Sequence, residues 1–382
     1  MNLLSGMQDV FSKEEVNIKR QEEYDYLKGI FMVFIFGIHA FQATLTEPDL
    51  CMKILYGFAT MSGAALFMFV MGMGSVYSRN SSAGILAKNG VKMIAYQYLN
   101  NVLYLIALAI PYPFVKNMLS EEEAEMFHFL IETYIKYTNI FFMTGVIYLL
   151  LALLKKLKMP LVGYAIIGFI SAFVAPLIAG TPVDIPVLGY IFKLLIGQDL
   201  FISFIPLYFI SYVLIGVVFG KVLRHVKDKT VFYKAVIGIS GILVVGTWIY
   251  LFLEYGFSME LYDFLTRTYS EPGFLHVIAS VAHILFFAGI FYLGSNYLKK
   301  ETIFCGQILY YSKHISKYYA IHIVPYFIAL GFHKYSAFAA WQCWILVLLS
   351  MVFTEVVVRS FVALHIRFAD YVKNLRIMQK IL

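Results

Sequence analysis

The sequence predicts an all-α integral membrane protein, a polytopic bundle of about ten transmembrane helices. Three observations carry this. Of its 382 residues, 61% are hydrophobic and only 14% are charged. Mean hydropathy is +0.76, well above the balance of soluble domains. Apolar runs of spanning length recur along the chain, and the loops between them alternate between cation-rich and cation-poor.

The elements follow in order. Residues 1–21 form a polar segment of mixed charge before the first span, expected as a short surface helix. Spans are expected at 26–46, 52–77, 91–111, 138–154, 160–180, 200–220, 231–253, 275–296, 314–332 and 341–364. The first has full spanning length and no small-residue cleavage signature, so it reads as a retained helix, not a signal peptide. Cations gather in alternate loops: Lys19 and Arg20, then Arg79 and Lys88, Lys155 and Lys158, Lys221 and Arg224, and Lys299 and Lys300. That pattern places both termini in the cytoplasm. It also accounts for the net charge of +7 without any nucleic-acid partner. Residues 22–368 read as one transmembrane domain, and residues 369–382 as a basic amphipathic tail on the cytoplasmic leaflet.

Two outer loops, 112–137 and 254–274, are long and rich in Tyr, Phe and acids. They read either as interfacial anchors or as a cover that holds an acceptor. Three widely separated cysteines exclude a zinc motif and a disulfide framework; one bridge between Cys51 and Cys343 stays open. No internal repeat or paired helix breaks are evident, which weighs against an inverted-repeat transporter.

Chemistry concentrates in the first span, YDYLKGIFMVFIFGIHAFQAT. Lys28 and His39 lie eleven residues apart, about 20° past three full turns and ~16 Å along the axis. They share a face, with Gln42 close to the same line and Asp25 nearer its edge. Ionisable groups at membrane depth usually face a bundle interior or a wet cavity. His39 could act as a general base or bond a neighbouring helix. Lys28 could bind an anion or snorkel to the inner interface, and Asp25 could simply pair with it. A second stripe, Lys88, Lys92, Tyr96 and Asn100, recurs every fourth residue. With Arg79 it suggests either a phosphate site or orientation charge. His322, in SKYYAIHIVPY, is expected to bond a neighbouring helix or to face the same cavity. Glu355 and Arg359 read as a structural i,i+4 pair.

These motifs resemble the transmembrane acyltransferase superfamily, which includes the acyltransferase-3 proteins and the catalytic domain of heparan-alpha-glucosaminide N-acetyltransferase. The family's first helix reads roughly D-x-L-R-G, an apolar run, then His. Asp25, Leu27, Lys28, Gly29 and His39 fall at that spacing, with Lys where the family usually has Arg, so a bidentate contact is not available. GAALFMFVMGMGSVYSR resembles the second helix. TNIFFMTGVIYLLLALL resembles the heparan-type D-I-L helix, with Asn139 in place of the acid. FIPLYFISYVLIGVVFGK resembles that branch's proline-aromatic helix ending in G-x-x-x-G, and Tyr319 and His322 match its Y-x-x-H.

The resemblance implies O- or N-transfer of an acyl group, most often acetyl, from cytoplasmic acyl-CoA to a glycan or other cell-envelope acceptor. His39 would be the base or transient acyl carrier, with Lys28 and Asp25 beside it in the catalytic set. Lys28, Arg79, Lys88, Lys92, Tyr96 and Asn100 would hold the cofactor, and Gln42, Asn139 and His322 would line the cavity. Acyl-CoA is the expected donor and no metal is expected. The expected setting is a bacterial cytoplasmic membrane, crossed many times, and a homodimer stays open. The competing expectation is a transporter or flippase of a lipid-linked or polysaccharide-related solute.

Overall fold

The computed structural model describes residues 10–179, 181, 195–197, 203–256, 258–295, 297–298 and 300–381, with side chains for all of these except 268–270 and 369–381. Among them are fifteen helices of seven residues or more, and an isolated bridge pairs Phe11 with Val226. The helices are α1 (Glu22–Ala43), α2 (Leu50–Thr60), α3 (Gly63–Tyr77), α4 (Ala83–Ala109), α5 (Glu121–Lys136), α6 (Ile140–Lys156), α7 (Leu161–Ile178) and α8 (Pro206–Arg224). They continue as α9 (Lys229–Tyr255), α10 (Met259–Ser270), α11 (Phe274–Gly294), α12 (Ile303–Lys313), α13 (Ile315–Ile321), α14 (Val324–Phe332) and α15 (Ala340–Ile381). Eight stretches among the described residues are long and apolar enough to cross a membrane.

Helix α1 sits at the centre. Its apolar window is 67% buried, against 17% for α9. Most of α1 therefore faces protein, although of its polar stripe only Asp25 is buried, Lys28 and His39 are half-buried and Gln42 is exposed, while α9 shows most of its surface outward. Close packing against the centre depends on glycine. A Cβ on Gly29, the last residue of the D-x-L-K-G motif, would lie 2.1 Å from the Ile308 carbonyl oxygen of α12. The G-x-x-x-G of α8 works the same way: a Cβ on Gly216 would sit 2.1 Å from the Phe69 carbonyl oxygen of α3. Small residues let helix backbones meet where lipid offers no hydrophobic driving force.

Several expectations need correction. The segment before α1 is not helical over residues 11–21. It lies as a strap along the α8–α9 turn, with Ser12 N–H donating to His225 O (2.7 Å) and Lys227 N–H donating to Val10 O (2.8 Å). The expected span 52–77 is two helices, broken at Met61 and Ser62. Helix α4 begins at Ala83, eight residues earlier than expected, because the Ser82 hydroxyl accepts from Ile85 N–H and caps it. The last helix continues through Ile381, so the expected tail prolongs α15. All three cysteines are free, and Cys343 is buried against Thr44.

The expected span 314–332 is also two helices, α13 and α14. Pro325 supplies the reason: it has no N–H to give and crowds the carbonyl four residues back. His322 lies in the resulting break. The backbone carbonyl of His322 accepts a hydrogen bond from Ser350 Oγ of α15 at 2.7 Å, the repair that a broken helix needs at membrane depth.

The two long loops rich in Tyr, Phe and acids contain helices α5 and α10. A capping box starts α5, with Ser120 and Glu123 each bonding the other's backbone N–H.

Candidate active site

At the N-terminal end of α1 two buried acids are fully paired. Asp25 accepts from Arg20, from Lys28 at 3.0 Å and from Ser312 Oγ at 3.1 Å. Glu23 accepts from Lys229 Nζ at 2.9 Å and from Tyr233 O–H at 2.7 Å. These contacts tie α1 to α9 and α12. Asp25 thus anchors Lys28 and lies about 21 Å along the helix from His39, fourteen residues away. The structure does not bring Asp25 to the histidine, so its expected place in the catalytic set is not supported by proximity.

The histidines themselves meet. His39 Nδ1 is 3.1 Å from His322 Nε2, and the ring centroids are 4.9 Å apart. The helix break fixes the tautomers. His322 Nδ1 lies 2.8 Å from the Tyr319 carbonyl oxygen, which can only accept, so this nitrogen carries the hydrogen. In the neutral ring Nε2 is then a lone pair, and the 3.1 Å contact requires His39 Nδ1–H to donate to it. The unshared pair of the couple is left on His39 Nε2. An imidazole aligned by a partner that holds its other nitrogen is the arrangement general-base catalysis uses. The sequence reading named both residues; their contact joins positions 283 apart.

Two cavities share Tyr319, beside this pair. The first, of ≈460 Å³, is lined by Lys28, Ser78, Asn80, Asn89, Thr144 and Tyr319 among others. The second, of ≈170 Å³, is lined by His39, Gln42, Tyr134, Tyr137, Asn139 and Tyr319 among others. Tyr319 is common to both and packs edge-on against His39, with centroids 5.6 Å apart. Gln42 donates to Tyr56 O–H at 3.1 Å. Asn139 caps α6 by accepting from Phe141 N–H, and its own N–H donates to Gln97 Oε1 at 3.0 Å. Gln42 and Asn139 line the second cavity, whereas His322 lines neither and lies behind His39. Tyr134, Tyr137, Ser203 and Thr266 were not foreseen. Three of these come from the long loops or their edges, and only the folding of those loops over the bundle reveals them.

The expected phosphate stripe is corrected. Lys88, Lys92 and Tyr96 are exposed and line none of the described cavities, while Lys92 lies over the Tyr96 ring at 5.2 Å. Asn100 alone is buried. A four-residue step drifts about 40°, so the line from Lys88 to Asn100 turns roughly 120° around the helix. The inward face of α4 instead runs through Leu86, Gly90, Gln97, Asn101 and Tyr104. Small and polar residues mark a packed membrane face, and that signal was available in the sequence.

A different cation cluster exists. Arg79, Lys155, Lys158, Lys221 and Arg224 surround a cavity of ≈530 Å³ at the ends of α3, α6 and α8. Glu15, on the N-terminal strap, pairs with Arg224 at 2.6 Å and Lys221 at 3.4 Å. Among the described residues no acid pairs with Arg79, Lys155 or Lys158. Lys155 instead donates to Ser81 Oγ at 2.9 Å. This cavity shares Ser75, Ser78, Ser81 and Leu86 with the first one. A cationic vestibule thus adjoins the cavity whose lining includes Tyr319.

Among the described residues no group of His, Cys, Asp and Glu is arranged to hold a metal. Comparison with protein-family models, with curated proteins and with solved structures finds no match for this chain.

Proposed function

We propose that this protein is a membrane-bound acyltransferase that moves an acyl group, most simply acetyl, from cytoplasmic acyl-CoA to a hydroxyl or amine acceptor. The observation that carries the reading is the aligned His39–His322 pair, with His39 lining the second cavity beside Tyr319, the residue both cavities share. The donor fits the larger side. Phosphates suit Arg79, Lys155 and Lys158 in the cationic vestibule, and a flexible arm suits the adjoining channel past Lys28. The acceptor suits the polar second cavity, beneath α5 and α10.

In this reaction His39 Nε2 removes the acceptor's proton as the acceptor oxygen or nitrogen attacks the thioester carbonyl. The C–S bond breaks, and the proton passes to the departing thiolate, giving acylated acceptor and CoA thiol. His322 accepts the His39 Nδ1–H bond throughout, which strengthens as His39 becomes imidazolium. Water is restricted by the small volume on the acceptor side, ≈170 Å³, a few water molecules at about 30 Å³ each.

The same reading sets the topology. The eight long apolar stretches, together with α6 and the broken pair α13–α14, make ten crossings with both ends in the cytoplasm. Helix α6 has 17 residues and at ~1.5 Å each spans about 26 Å, close to a hydrocarbon core of about 30 Å. Its Lys155 and Lys156 then stand at the inner face, as the distribution of cations requires.

The test is release of CoA thiol from acetyl-CoA by purified protein with a hydroxylated or amino acceptor. His39→Ala, eluting as a monodisperse gel-filtration peak, is expected to lower the rate roughly 100- to 10,000-fold. A well-folded His39→Ala protein turning over at the parent rate refutes the assignment. A protein that translocates solute without thiol release is a transporter instead.

A further inference from the structure

A third cavity, of ≈450 Å³, lies between α2, α9, α10 and α11. Its character differs from that of the acceptor cavity. The lining includes Ile54, Phe58, Trp248, Phe252 and Phe286. The ring nitrogens in its wall are already engaged: Trp248 Nε1–H donates to His283 Nε2 at 3.0 Å, and His283 Nδ1–H donates to the Ala279 carbonyl at 2.7 Å. The mouth is formed by Leu50 (66% exposed), Ile54 (47%) and Phe58 (48%), all within an apolar spanning stretch. The opening therefore faces sideways, into hydrocarbon, and not toward water.

Two further observations say what belongs there. Lys53 lines the cavity one turn from the start of α2, and among the described residues no acid pairs with it. A cation at the rim of an apolar cleft near the interface matches an anionic head group above a hydrocarbon chain. The cleft also adjoins the acceptor cavity. Gly57 lines one and its neighbour Tyr56 the other; Tyr262 lines one and Thr266, a turn on, the other. The Tyr56 and Tyr262 rings form the partition, with centroids 5.1 Å apart.

We propose that this cleft binds an anionic lipid from the surrounding leaflet, its hydrocarbon chain along Phe58, Trp248 and Phe286 and its phosphate on Lys53. The hydroxylated head group of that lipid, reaching past Tyr56 and Tyr262, is the acceptor presented to His39; this second part rests on the acyltransferase reading. A soluble glycan would leave an apolar cleft beside the site with no purpose, whereas a lipid-borne acceptor fills both volumes.

Trp248 is the reporter. The protein is reconstituted in phosphatidylcholine vesicles holding a minor fraction of chain-brominated phosphatidylglycerol or, for comparison, chain-brominated phosphatidylcholine. Quenching assigned to Trp248 is the part lost in Trp248→Phe. The brominated phosphatidylglycerol is expected to be preferred roughly fivefold at low salt, the worth of one Lys near anionic lipid. Lys53→Gln should abolish that preference and Lys53→Arg should keep it. Equal quenching by the two lipids, or a preference that survives Lys53→Gln, overturns the lipid site. This measurement uses no acyl-CoA, so it stands apart from the chemistry. Thiol release from acetyl-CoA stimulated by phosphatidylglycerol, with acylated lipid as product, supports the head-group acceptor. Release with soluble glucosamine but none with the lipid overturns that half alone and leaves acyl transfer intact.

Discussion

Replacing His322 separates a working histidine pair from two packed rings. His322→Leu keeps a side chain of similar bulk in a fully buried position and leaves the Ser350 bond untouched, since that bond goes to the backbone. What disappears is the acceptor 3.1 Å from His39 Nδ1. A hydrogen bond to a group that gains charge contributes about 1.5–3 kcal/mol, and about 1.36 kcal/mol is tenfold in rate. Acyl transfer should therefore fall roughly 10- to 150-fold, less than for His39→Ala, because the base itself remains. His322→Gln offers a side-chain oxygen as acceptor and should recover part of the loss. The KM for acetyl-CoA should stay near the parent value, since Lys28 marks the donor channel ~16 Å down the helix. The assay is steady-state thiol release on gel-filtered protein. A folded His322→Leu enzyme with parent kcat, or with His322→Gln no better than His322→Leu, refutes the relay.

Three other outcomes follow from the geometry. Arg79→Ala combined with Lys158→Ala should weaken CoA binding in calorimetry, more so at low ionic strength, whereas Lys88→Ala and Lys92→Ala should leave it unchanged; the reverse pattern would return the phosphates to the α4 stripe. A cysteine placed at the exposed Glu122 should react with a membrane-impermeant maleimide from the outer face of intact cells, and labelling from the cytoplasmic face alone would invert the topology. Glu123 is held below the usual carboxylate range by the Ser120 N–H at 2.7 Å, with the Ser336 hydroxyl at 3.2 Å adding to it. A lowered native pKa contributes stability that is present above the unfolded value of about 4.3 and is lost as pH falls through the native one. The melting difference between the parent and Glu123→Gln should accordingly be largest near neutrality and vanish in acid; a difference independent of pH would remove this carboxylate from the account.

The positions of the apolar runs and the depth of His39 were legible because burial in lipid demands long apolar windows and makes any polar residue in them conspicuous. The Asp25–Lys28 pair was legible because both ends lie within one turn. The inward face of α4 was misread from its cations, although Gly90 and Gln97 carried the better signal. Pro325 was in view, but its effect on His322 depends on Ser350 being there to take the freed carbonyl, a contact between distant segments. Tyr134 and Thr266 became site residues only when α5 and α10 folded over the bundle. The N-terminal strap escaped notice because its partners, the backbone of the α8–α9 turn and Arg224 for Glu15, lie far along the chain. The catalytic reading in turn rests on a contact between α1 and the α13–α14 break that no local pattern encodes.

Tyr319 has a consequence of an electrical kind. Its ring lines both the cavity that adjoins the cationic vestibule and the cavity towards the other end of α1. A water file past it would let ions run down the membrane potential, which drives each elementary charge with about 2.3 kcal/mol per 100 mV. At that point a single side chain belongs to the walls of both cavities. The histidine pair lies beside it, joined nitrogen to nitrogen. A ring able to swing aside for a two-carbon fragment but not for a hydrated ion would let the protein pass chemistry across the membrane while passing no current.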